Sequence, residues 1–411
     1  MRPRTVAFTT LGCRLNQVDT QQLQTLLEAR GYRTVPVEEP ADVVVVNTCT
    51  VTARAVFSDR QAIRRAARVS PAARVVVTGC WAQTSPGEVL RLPEVALVVG
   101  NADKHRLPDL LDDLLTPRVQ VSDIRGAPTL DVAPLARVPG RSRAFLKVQD
   151  GCQHRCAFCI VPLARGPKIV LTGVDLGHFG ADLLPRATLA ALLRELVGLP
   201  GLRWVRLSSV LPAYFTPELL ELVTTARGIA PHFHVPLQSG SDRVLRLMRR
   251  PYNTRMYRDL VERLARALPA LGLGADVIVG FPGEREADFE ATLGLVEALP
   301  FSYVHVFPYS SREGTEAARL GDRVDAPTLA RRSRVLRDLA RRKNFEFRRR
   351  LTGGIEEVLV LETRARATGR LVGLSGNYVE VQFDGADGLM GRLIRVRVIG
   401  VERDRTLGEV A

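Results

Sequence analysis

The sequence predicts an α/β fold in three parts: an N-terminal parallel-sheet domain, a partial (β/α) barrel, and a small all-β barrel at the C-terminal end. Three observations lead to this prediction. Short Val-rich runs alternate with amphipathic segments in residues 1–127, a second alternating series occupies residues 144–325, and short strands separated by glycines fill residues 351–411. Apolar strands alternating with helices are typical of a parallel sheet covered on both faces, whereas short alternating strands are typical of small barrels.

The N-terminal domain, residues 1–127, contains amphipathic segments at 17–30 and 53–69 that predict helices. These segments lie between five short apolar strand candidates: TVAFTT (5–10), RTVPV (33–37), DVVVVN (42–47), RVVVTG (74–79) and VALVVG (95–100). This alternation predicts parallel strands joined by crossover helices. Residues 128–143 contain three prolines and one glycine and are predicted to be a linker.

The second domain, residues 144–325, is predicted to be a partial barrel because strand-like and helical segments alternate again. The strand candidates are AFLKVQD (144–150), KIVLTGVD (168–175), RWVRLSS (203–209), HFHVPL (232–237), LGADVIVG (273–280) and YVHVFPYS (303–310). The helical segments are 187–198, 241–249, 254–270 and 284–299. A basic helix at 326–350 leads to the final module, residues 351–411, which resembles the TRAM RNA-binding barrel.

The composition argues against a membrane protein. Of the 411 residues 46% are hydrophobic and 25% are charged, and no apolar run reaches the roughly 20 residues that span a bilayer. The N-terminus lacks the apolar stretch of a signal peptide. We therefore expect a cytoplasmic protein that does not contact a membrane.

The net charge of +14 favours a polyanionic partner over the alternative of a generally basic proteome, because the charge is concentrated. Residues 331–350 hold ten Lys or Arg against two acidic residues, whereas a solvated helix face normally mixes both signs. We predict a nucleic-acid contact there, made by Arg341, Arg342, Lys343, Arg348, Arg349 and Arg350.

Three of the six cysteines are clustered in VQDGCQHRCAFCIVPLARG, where Cys152, Cys156 and Cys159 have C-x3-C-x2-C spacing. They follow the first predicted barrel strand, where barrel enzymes place their chemistry. Zinc with His154 as a fourth ligand is one interpretation, but no further Cys or His follows at finger-like spacing. Three thiolates suit a [4Fe–4S] cluster that leaves one iron open.

This motif, with Phe158 between the second and third cysteines, resembles that of the radical S-adenosylmethionine superfamily. The resemblance implies that the open iron binds S-adenosylmethionine and that one electron cleaves this cofactor to a 5′-deoxyadenosyl radical. It also implies cofactor-binding roles for Phe158, for Thr172 and Gly173 in LTGVD (171–175), and for Gly280 in DVIVGFPGE (276–284). Glycines at strand ends are also ordinary turn residues. No catalytic side chain is predicted.

The other three cysteines, Cys13, Cys49 and Cys80, each follow a predicted parallel strand. Ligands of open α/β sheets bind at the carboxyl edge of the strands, so these cysteines should converge there. A buried cysteine at one strand end is common and by itself carries no function. Three at three strand ends predict a second three-thiolate [4Fe–4S] site, with Asn16, Asn47 and Gln83 supporting it.

Two such sites together resemble the methylthiotransferases, and the resemblance covers essentially the whole chain. TTLGCRLNQVDT (9–20) is similar to the bacterial branch that modifies N6-threonylcarbamoyladenosine at position 37 of tRNA. This implies two [4Fe–4S] clusters, S-adenosylmethionine as methyl donor and radical source, the tRNA anticodon loop as substrate, and a reductant protein such as flavodoxin or ferredoxin. The alternatives are sister enzymes acting on isopentenyladenosine or on a ribosomal-protein aspartate, and a non-enzymatic, zinc-containing RNA-binding protein.

The chain departs from the family pattern after Cys159. Parallel neighbours need a crossover of a dozen or more residues, yet IVPLARGPKIVLTG offers no helix before the next strand. The family carries a basic helical segment of a few dozen residues there. The sequence therefore indicates either a true deletion or, as we prefer, a segment absent from the sequence at the Pro167–Lys168 junction.

Overall fold

The computed structural model describes residues 4–112, 116–124, 145, 147, 150–152, 154, 156–165, 176–181 and 183–411. The chain divides into two compact units. Unit 1 comprises Met1–Val138, Phe145–Val174 and Ser310–Arg319, and unit 2 comprises Pro139–Ala144, Asp175–Tyr309 and Leu320–Ala411. The segment with the clustered cysteines thus shares a unit with the N-terminal sheet, whereas the sequence pattern divides the chain at residue 144.

Unit 1 is built on a six-stranded sheet in which every pairing is parallel. Its strands are β1 (Thr5–Thr10), β2 (Arg33–Thr34), β3 (Val43–Thr48), β4 (Arg74–Gly79), β5 (Val95–Val99) and β6 (Arg118–Gln120). They are ordered β2-β1-β3-β4-β5-β6. The predicted parallel sheet is confirmed, although RTVPV contributes only two residues and β6 was not predicted.

Helices cover both faces of this sheet. They are α1 (Arg14–Ala29), α2 (Ala53–Val69), α3 (Cys80–Thr84), α4 (Pro86–Leu90), α5 (Leu107–Asp112) and, in the segment after the clustered cysteines, α6 (Val161–Arg165). Val43 and Val45 of β3 pack in the core that contains α1 and α5 residues. Val44 and Val46 pack in the core that contains α2, α3 and α4 residues. Because β3 is buried on both faces, it is an uninterrupted apolar run.

Unit 2 contains a three-stranded parallel sheet and its flanking helices. The strands are β7 (His232–His234), β8 (Gly272–Val279) and β9 (Tyr303–Pro308), in that order. The helices are α7 (Leu189–Val197), α8 (Pro217–Thr225), α9 (Asp242–Leu247), α10 (Thr254–Ala267) and α11 (Glu286–Ala298). All four predicted helical segments are therefore present, while α8 was not predicted.

Two strand predictions in the barrel need correction. RWVRLSS (203–209) forms no continuous strand, and only isolated bridges join Val205 to Ile229 and Ser209 to His234. The strand predicted at 232–237 ends at His234, and Pro236 beyond it lacks the N–H that a ladder needs. The strand predicted at 144–150 lies mostly, and that at 168–175 wholly, outside the described residues. The predicted linker at 128–143 lies outside them as well.

The predicted basic helix is α12 (Ala326–Arg349), which Asp325 caps by accepting from the Thr328 N–H. A closed five-stranded barrel follows, in the order β10-β11-β12-β14-β13 with β10 (Ile355–Arg364), β11 (Leu371–Ser375), β12 (Glu380–Phe383), β13 (Leu393–Val401) and β14 (Thr406–Val410). Phe347 of α12 packs in the barrel core. No described helix is both long and apolar enough to cross a membrane.

Candidate metal centre

The three spaced cysteines follow three adjacent strands of unit 1. Cys49 and Cys80 come directly after β3 and β4, and Cys13 comes three residues after β1. These strands are parallel neighbours, so their carboxyl ends meet at one edge of the sheet. Cys49 and Cys80 are buried and Cys13 is exposed. The predicted convergence of the three cysteines is therefore what the topology produces.

Glycines allow the backbone to crowd at this edge. Gly12, with φ of +93°, precedes Cys13, and a Cβ there would lie 2.7 Å from Cβ of Cys49. Gly79, with φ of +98°, precedes Cys80, and a Cβ there would lie 2.4 Å from the Thr48 carbonyl oxygen. Any other residue at either position would be strained in conformation and would clash.

Two of the predicted supporting residues hold the cysteine loops together. The Asn16 amide donates to the carbonyl oxygens of Leu11, at 2.7 Å, and Thr48, at 2.8 Å, just before Cys13 and Cys49. The Asn47 amide donates to the Asn16 carbonyl oxygen at 2.9 Å. Gln83 instead accepts from the Asn101 N–H and donates to the Ser122 carbonyl oxygen, so it connects the segments that follow β5 and β6.

The electrostatics of the thiols show their proximity. Burial, with smaller contributions from the neighbouring Cys80 and Cys13, raises the pKa of Cys49 to about 12. Asp59 of α2, fully buried, accepts from the Cys49 N–H at 3.1 Å, and burial raises its pKa to about 7. Within the described part of the chain, no three His, Cys, Asp or Glu side chains are placed to hold a single metal ion. A four-iron cluster binds each thiolate on a different iron, so its ligands stand farther apart.

The clustered cysteines are also free thiols, which excludes a disulfide framework. Cys152 is buried and Cys156 and Cys159 are half-buried. The Cys159 N–H donates to the Cys156 carbonyl oxygen at 3.1 Å, closing a turn that contains Phe158. This turn is tied to the rest of unit 1 by a hydrogen bond of 2.7 Å from the Ala317 N–H to the Ala157 carbonyl oxygen.

Arg165, at the end of α6 and six residues after Cys159, connects the cysteine segment to the sheet domain. Its buried guanidinium donates to Asp150 at 2.8 Å, to Asp19 at 3.0 Å and to the side chain of Asn16 at 2.5 Å. Its positive charge also acts on the thiol of Cys80, where it opposes the burial that raises the pKa of that thiol. One side chain thus binds a carboxylate two residues before Cys152 and the amide that holds two spaced-cysteine loops.

Asp19 of α1 is the centre of this network. Lys104, in a 3₁₀ segment after β5, donates to it at 2.6 Å, and Lys147 donates to it at 2.7 Å. Burial opposes ionisation of Asp19, but Lys104, Lys147 and Arg165 outweigh it and hold its pKa well below the ordinary value. Together with Asp150, two carboxylates face three buried cations. A buried excess of positive charge beside thiols suits a negatively charged group such as a thiolate-bound cluster.

This network was not predicted from the sequence because its members are far apart in the chain: Arg165 and Asp19 are 146 residues apart. The available signal was weak, namely charged residues next to the cysteine motif and one Asp on an otherwise uncharged helix face. Buried charges that are paired in this way are costly to leave unpaired, which marks them as part of the site's construction.

The remaining predicted cofactor residues are Thr172, Gly173 and Gly280. Thr172 and Gly173 are outside the described residues. Gly280 follows β8 in unit 2 with φ of +75°, and its N–H donates to the Glu284 carboxylate at 3.1 Å. A Cβ at Gly280 would lie 2.4 Å from Cδ1 of Leu329, so α12 approaches this turn closely. Glu284 is in turn bound by Arg332 of α12 at 2.7 Å.

The predicted RNA-binding residues of α12 fall into different environments. Arg349 and Arg350 are exposed, and so are Arg341 and Arg342, which pair with Asp338 and Glu297. Lys343 is half-buried and donates to the Glu297 carbonyl oxygen. Arg348 is buried, and its guanidinium donates to the carbonyl oxygens of Glu402 and Arg403. A side chain held in this way is not presented to a polyanion, so the prediction for Arg348 does not agree with its burial.

Two family models match the chain. Residues 5–100 match the uncharacterized protein family UPF0004, which spans the spaced cysteines, and residues 166–296 match the radical SAM superfamily. Among solved structures, the chain resembles TsrM, a radical S-adenosylmethionine methyltransferase of Kitasatospora setae, with a TM-score of 0.53 and 18% identity. The match covers 74% of this chain and 72% of that one, and it supports the fold alone.

Curated relatives match nearly the full length. The threonylcarbamoyladenosine tRNA methylthiotransferase MtaB of Bacillus subtilis is 36% identical over 96% of this chain and 94% of its own. The MtaB of Aquifex aeolicus is 39% identical over 96% and 100%. The ribosomal protein uS12 methylthiotransferase RimO of Symbiobacterium thermophilum is 34% identical over 99% and 91%. The Bacillus alignment extends over 423 positions, more than the 411 residues of this chain, so that relative has residues without a counterpart here.

The fold and the superfamily match define a radical S-adenosylmethionine enzyme with an additional cysteine-bearing domain. With its near-full-length relatives, the chain belongs to the radical S-adenosylmethionine methylthiotransferase family, in the MtaB branch. The cofactors of this family are S-adenosylmethionine and two [4Fe–4S] clusters, as predicted. The non-enzymatic zinc alternative is thereby set aside.

Proposed function

We propose that the protein transfers a methylthio group to C2 of N6-threonylcarbamoyladenosine at position 37 of tRNA. The observation that carries the proposal is the joining of both cysteine groups within unit 1 by the buried network of Arg165, Asp19 and Asn16. An enzyme that inserts sulfur by radical chemistry needs a sulfur-carrying centre near its radical-generating centre. The names of the relatives supply the nucleoside.

Cys13, Cys49 and Cys80 hold the auxiliary cluster in this proposal, and Cys152, Cys156 and Cys159 hold the cluster that binds S-adenosylmethionine. When bound, these groups supply electron transfer, radical chemistry and the methylated sulfur. The protein contributes the rest. Burial of Cys49 and Cys80 excludes water, the positive charge of Arg165 and Lys104 compensates the thiolates, and Asn16 fixes the spacing of two loops. Phe158, Thr172, Gly173 and Gly280 are proposed to contact S-adenosylmethionine.

The exposed end of α12 is proposed to bind the RNA through Arg341, Arg342, Lys343, Arg349 and Arg350. A groove of about 900 Å³ beside this helix is lined by Arg337, Arg341, Arg403, Phe345 and Tyr378, among others. Arginines attract phosphates, and aromatic rings stack on unpaired bases. Position 37 lies in the single-stranded anticodon loop, where such contacts are available.

The reaction also requires an electron donor, which we propose to be a flavodoxin or ferredoxin in the cytoplasm. A further proposal concerns the Pro167–Lys168 junction: the segment that relatives carry is absent from this sequence rather than deleted from the protein. Intact mass spectrometry of the protein expressed from its own locus tests this. A mass well above 45.2 kDa supports the proposal, and a mass of 45.2 kDa establishes a true deletion.

Nucleoside analysis of tRNA tests the proposed activity. A strain that lacks this protein should accumulate N6-threonylcarbamoyladenosine without its 2-methylthio derivative, and the wild-type gene should restore that derivative. Complementation by Cys49→Ala or Cys156→Ala should fail. Loss of 2-methylthio-isopentenyladenosine instead, or of a modification on a ribosomal protein, would assign the chain to a sister branch.

Iron and sulfide analysis tests the cluster assignment separately. After anaerobic reconstitution, the wild type should hold about eight irons, and a Cys152/Cys156/Cys159→Ala variant about four. A Cys13/Cys49/Cys80→Ala variant should also hold about four. If either triple variant keeps all its iron, the corresponding cysteines are not cluster ligands.

A further inference from the structure

The helix that follows Cys49 carries an unusual exposed face. α2 begins four residues after Cys49, and Thr52 caps it by accepting from the Ala55 N–H at 3.1 Å. Its exposed residues recur at helical spacing and, at 100° per residue, fall within an arc of about 100°. Apart from Ala53 in the first turn, which lies about 20° outside this arc, they are Arg54, Phe57, Gln61, Arg64, Arg65 and Arg68. The face extends along the helix for about 21 Å.

This face carries positive charge that no acidic side chain of α2 offsets. The one acidic residue of α2, Asp59, is fully buried on the opposite side. Among the described residues, Arg54, Arg64, Arg65 and Arg68 form no salt bridge, whereas Arg60, at the side of the face, pairs with Glu88 and lies over the Trp81 ring. A merely solvated helix face normally interleaves acids with bases. Four uncompensated guanidinium groups in one row therefore indicate a polyanionic partner.

An exposed aromatic ring lies within the row. Phe57 is 61% exposed, between Arg54 and Arg64 on the same face. An exposed Phe ring buries little apolar surface and so contributes little to folding stability. A ring flanked by guanidinium groups can instead stack on a base while the arginines bind the adjoining phosphates. This combination favours RNA over an anionic partner that has no bases.

The position of the face relates it to the auxiliary cysteines. The N-terminal end of α2 lies at the sheet edge where Cys49 emerges, and Thr50 in the intervening loop accepts from Arg312 at 2.5 Å. An RNA strand lying along α2 would therefore have one end beside the spaced cysteines. A nucleotide that must receive sulfur from that edge needs its flanking phosphates to be held nearby.

We propose that Arg54, Arg64, Arg65 and Arg68, with Phe57, form a second RNA-contacting surface that binds the phosphate backbone of the substrate next to the auxiliary cysteines. The inference rests on the proposed tRNA substrate and extends it, because the RNA-contacting residues predicted from the sequence all lie on α12. Affinity for tRNA is then shared by two helices of different units.

The test uses the full-length, iron-reconstituted enzyme and purified tRNA that carries N6-threonylcarbamoyladenosine. Binding is measured by fluorescence anisotropy at several salt concentrations for the wild type and for Arg64→Gln/Arg65→Gln/Arg68→Gln. The matched control is Arg255→Gln/Arg263→Gln/Arg266→Gln, which removes three exposed arginines from α10. Glutamine keeps helix propensity close to that of arginine in both variants.

We expect the α2 variant to bind on the order of tenfold more weakly, with a log–log salt slope smaller by about 2, since each lost phosphate contact removes about 0.7–0.9. The α10 control should stay within about twofold of the wild type. Arg64→Lys/Arg65→Lys/Arg68→Lys should restore the slope, because lysine also binds phosphate as a point charge. Phe57→Ala should weaken binding roughly tenfold without changing the slope, as expected for lost stacking.

An α2 variant with wild-type affinity and slope overturns this inference while leaving the proposed function intact. If the wild type itself does not bind this tRNA, the proposed function fails instead. If the α2 variant binds tRNA normally but is reduced more slowly by flavodoxin, the face serves the electron donor and the RNA inference is wrong. Equal iron content and melting temperature in all variants would exclude misfolding as the cause of any loss.

Discussion

Two helices of this protein are rich in arginine, and they use it differently. In α12, Arg331 and Arg332 bind Glu286, Arg342 binds Glu297, and Arg348 binds barrel carbonyl oxygens. In α2, the arginines of the exposed face have no acidic partner among the described residues. The sequence of α12 contains more basic residues than that of α2, but a larger fraction of them is bound to other residues of the protein.

A count of basic residues therefore does not measure the charge that a partner meets. The acidic residues that pair with α12 arginines are mainly Glu286 and Glu297 of α11 and Glu284 in the turn before it, about 45 residues away in sequence. Buried pairs of this kind fasten elements together and lose much when broken, whereas exposed pairs contribute little and can exchange partners. Substitution of a buried arginine should therefore lower stability, whereas substitution of an exposed one should mainly change tRNA binding.

The largest effect is expected for Arg332→Leu. Arg332 is 5% exposed and binds Glu284, which is 3% exposed, so its removal leaves a buried carboxylate without its cation. We expect the free energy of unfolding to fall by about 3–5 kcal/mol. Arg331→Leu is the matched control. Arg331 binds Glu286, which Arg332 also binds, but the Arg331 side chain is 52% exposed. Its loss should lower the free energy of unfolding by only about 0–1 kcal/mol. Urea unfolding followed by circular dichroism compares the two.

The pH dependence of the Arg332→Leu defect follows from Glu284. Burial already raises the pKa of Glu284 in the wild type, and loss of Arg332 removes the cation that opposes this shift. A carboxyl whose pKa is raised on folding destabilises the protein above that pKa and ceases to do so as the pH falls through it. The difference between variant and wild type should therefore shrink between pH 8 and pH 5. A difference that is constant or grows would show that lost packing, rather than the unpaired charge, is responsible.

A smaller loss is expected for Arg348→Leu. The guanidinium donates to the carbonyl oxygens of Glu402, at 3.1 Å, and Arg403, at 2.5 Å, and these acceptors would lose their donor. We expect about 1–3 kcal/mol of destabilisation, measured as a lower urea midpoint. Arg349→Leu, one residue along and exposed, should leave the midpoint unchanged. Similar midpoints for the two variants would contradict the structural role assigned to Arg348.

Much of the site was predictable from sequence because it depends on chain direction. Parallel apolar strands followed by Gly-Cys or Asn-Thr-Cys place Cys13, Cys49 and Cys80 at one edge, whatever the details of packing. The network around Asp19 was not predictable, since its partners meet only through tertiary structure. RWVRLSS (203–209) was predicted to be a strand and is not one. Its side chains alternate with the period of a strand, but a strand forms only where a neighbouring strand pairs along its length, and here only isolated bridges are present.

On RNA binding, α12 should matter less than α2. Arg349→Gln/Arg350→Gln removes two exposed arginines, and we expect the salt slope of tRNA binding to fall by about 1–2, with a few-fold loss of affinity. The measurement is the same anisotropy titration used for the α2 variant. If this double variant loses more affinity than the triple variant on α2, the ranking of the two helices is reversed, and the charge count in the sequence was the better guide.

The smallest effect is expected for Arg341→Gln. Arg341 and its partner Asp338 are each 56% exposed, one turn apart on α12. Such a pair contributes about 0–1 kcal/mol, so the unfolding midpoint should stay within error of the wild type. The same weakness lets Arg341 exchange Asp338 for a phosphate, so tRNA affinity should fall slightly while stability does not. Asp338→Asn is the complementary variant, because it frees Arg341 and should bind tRNA slightly more tightly. If both variants bind tRNA as the wild type does, Arg341 is not an RNA contact.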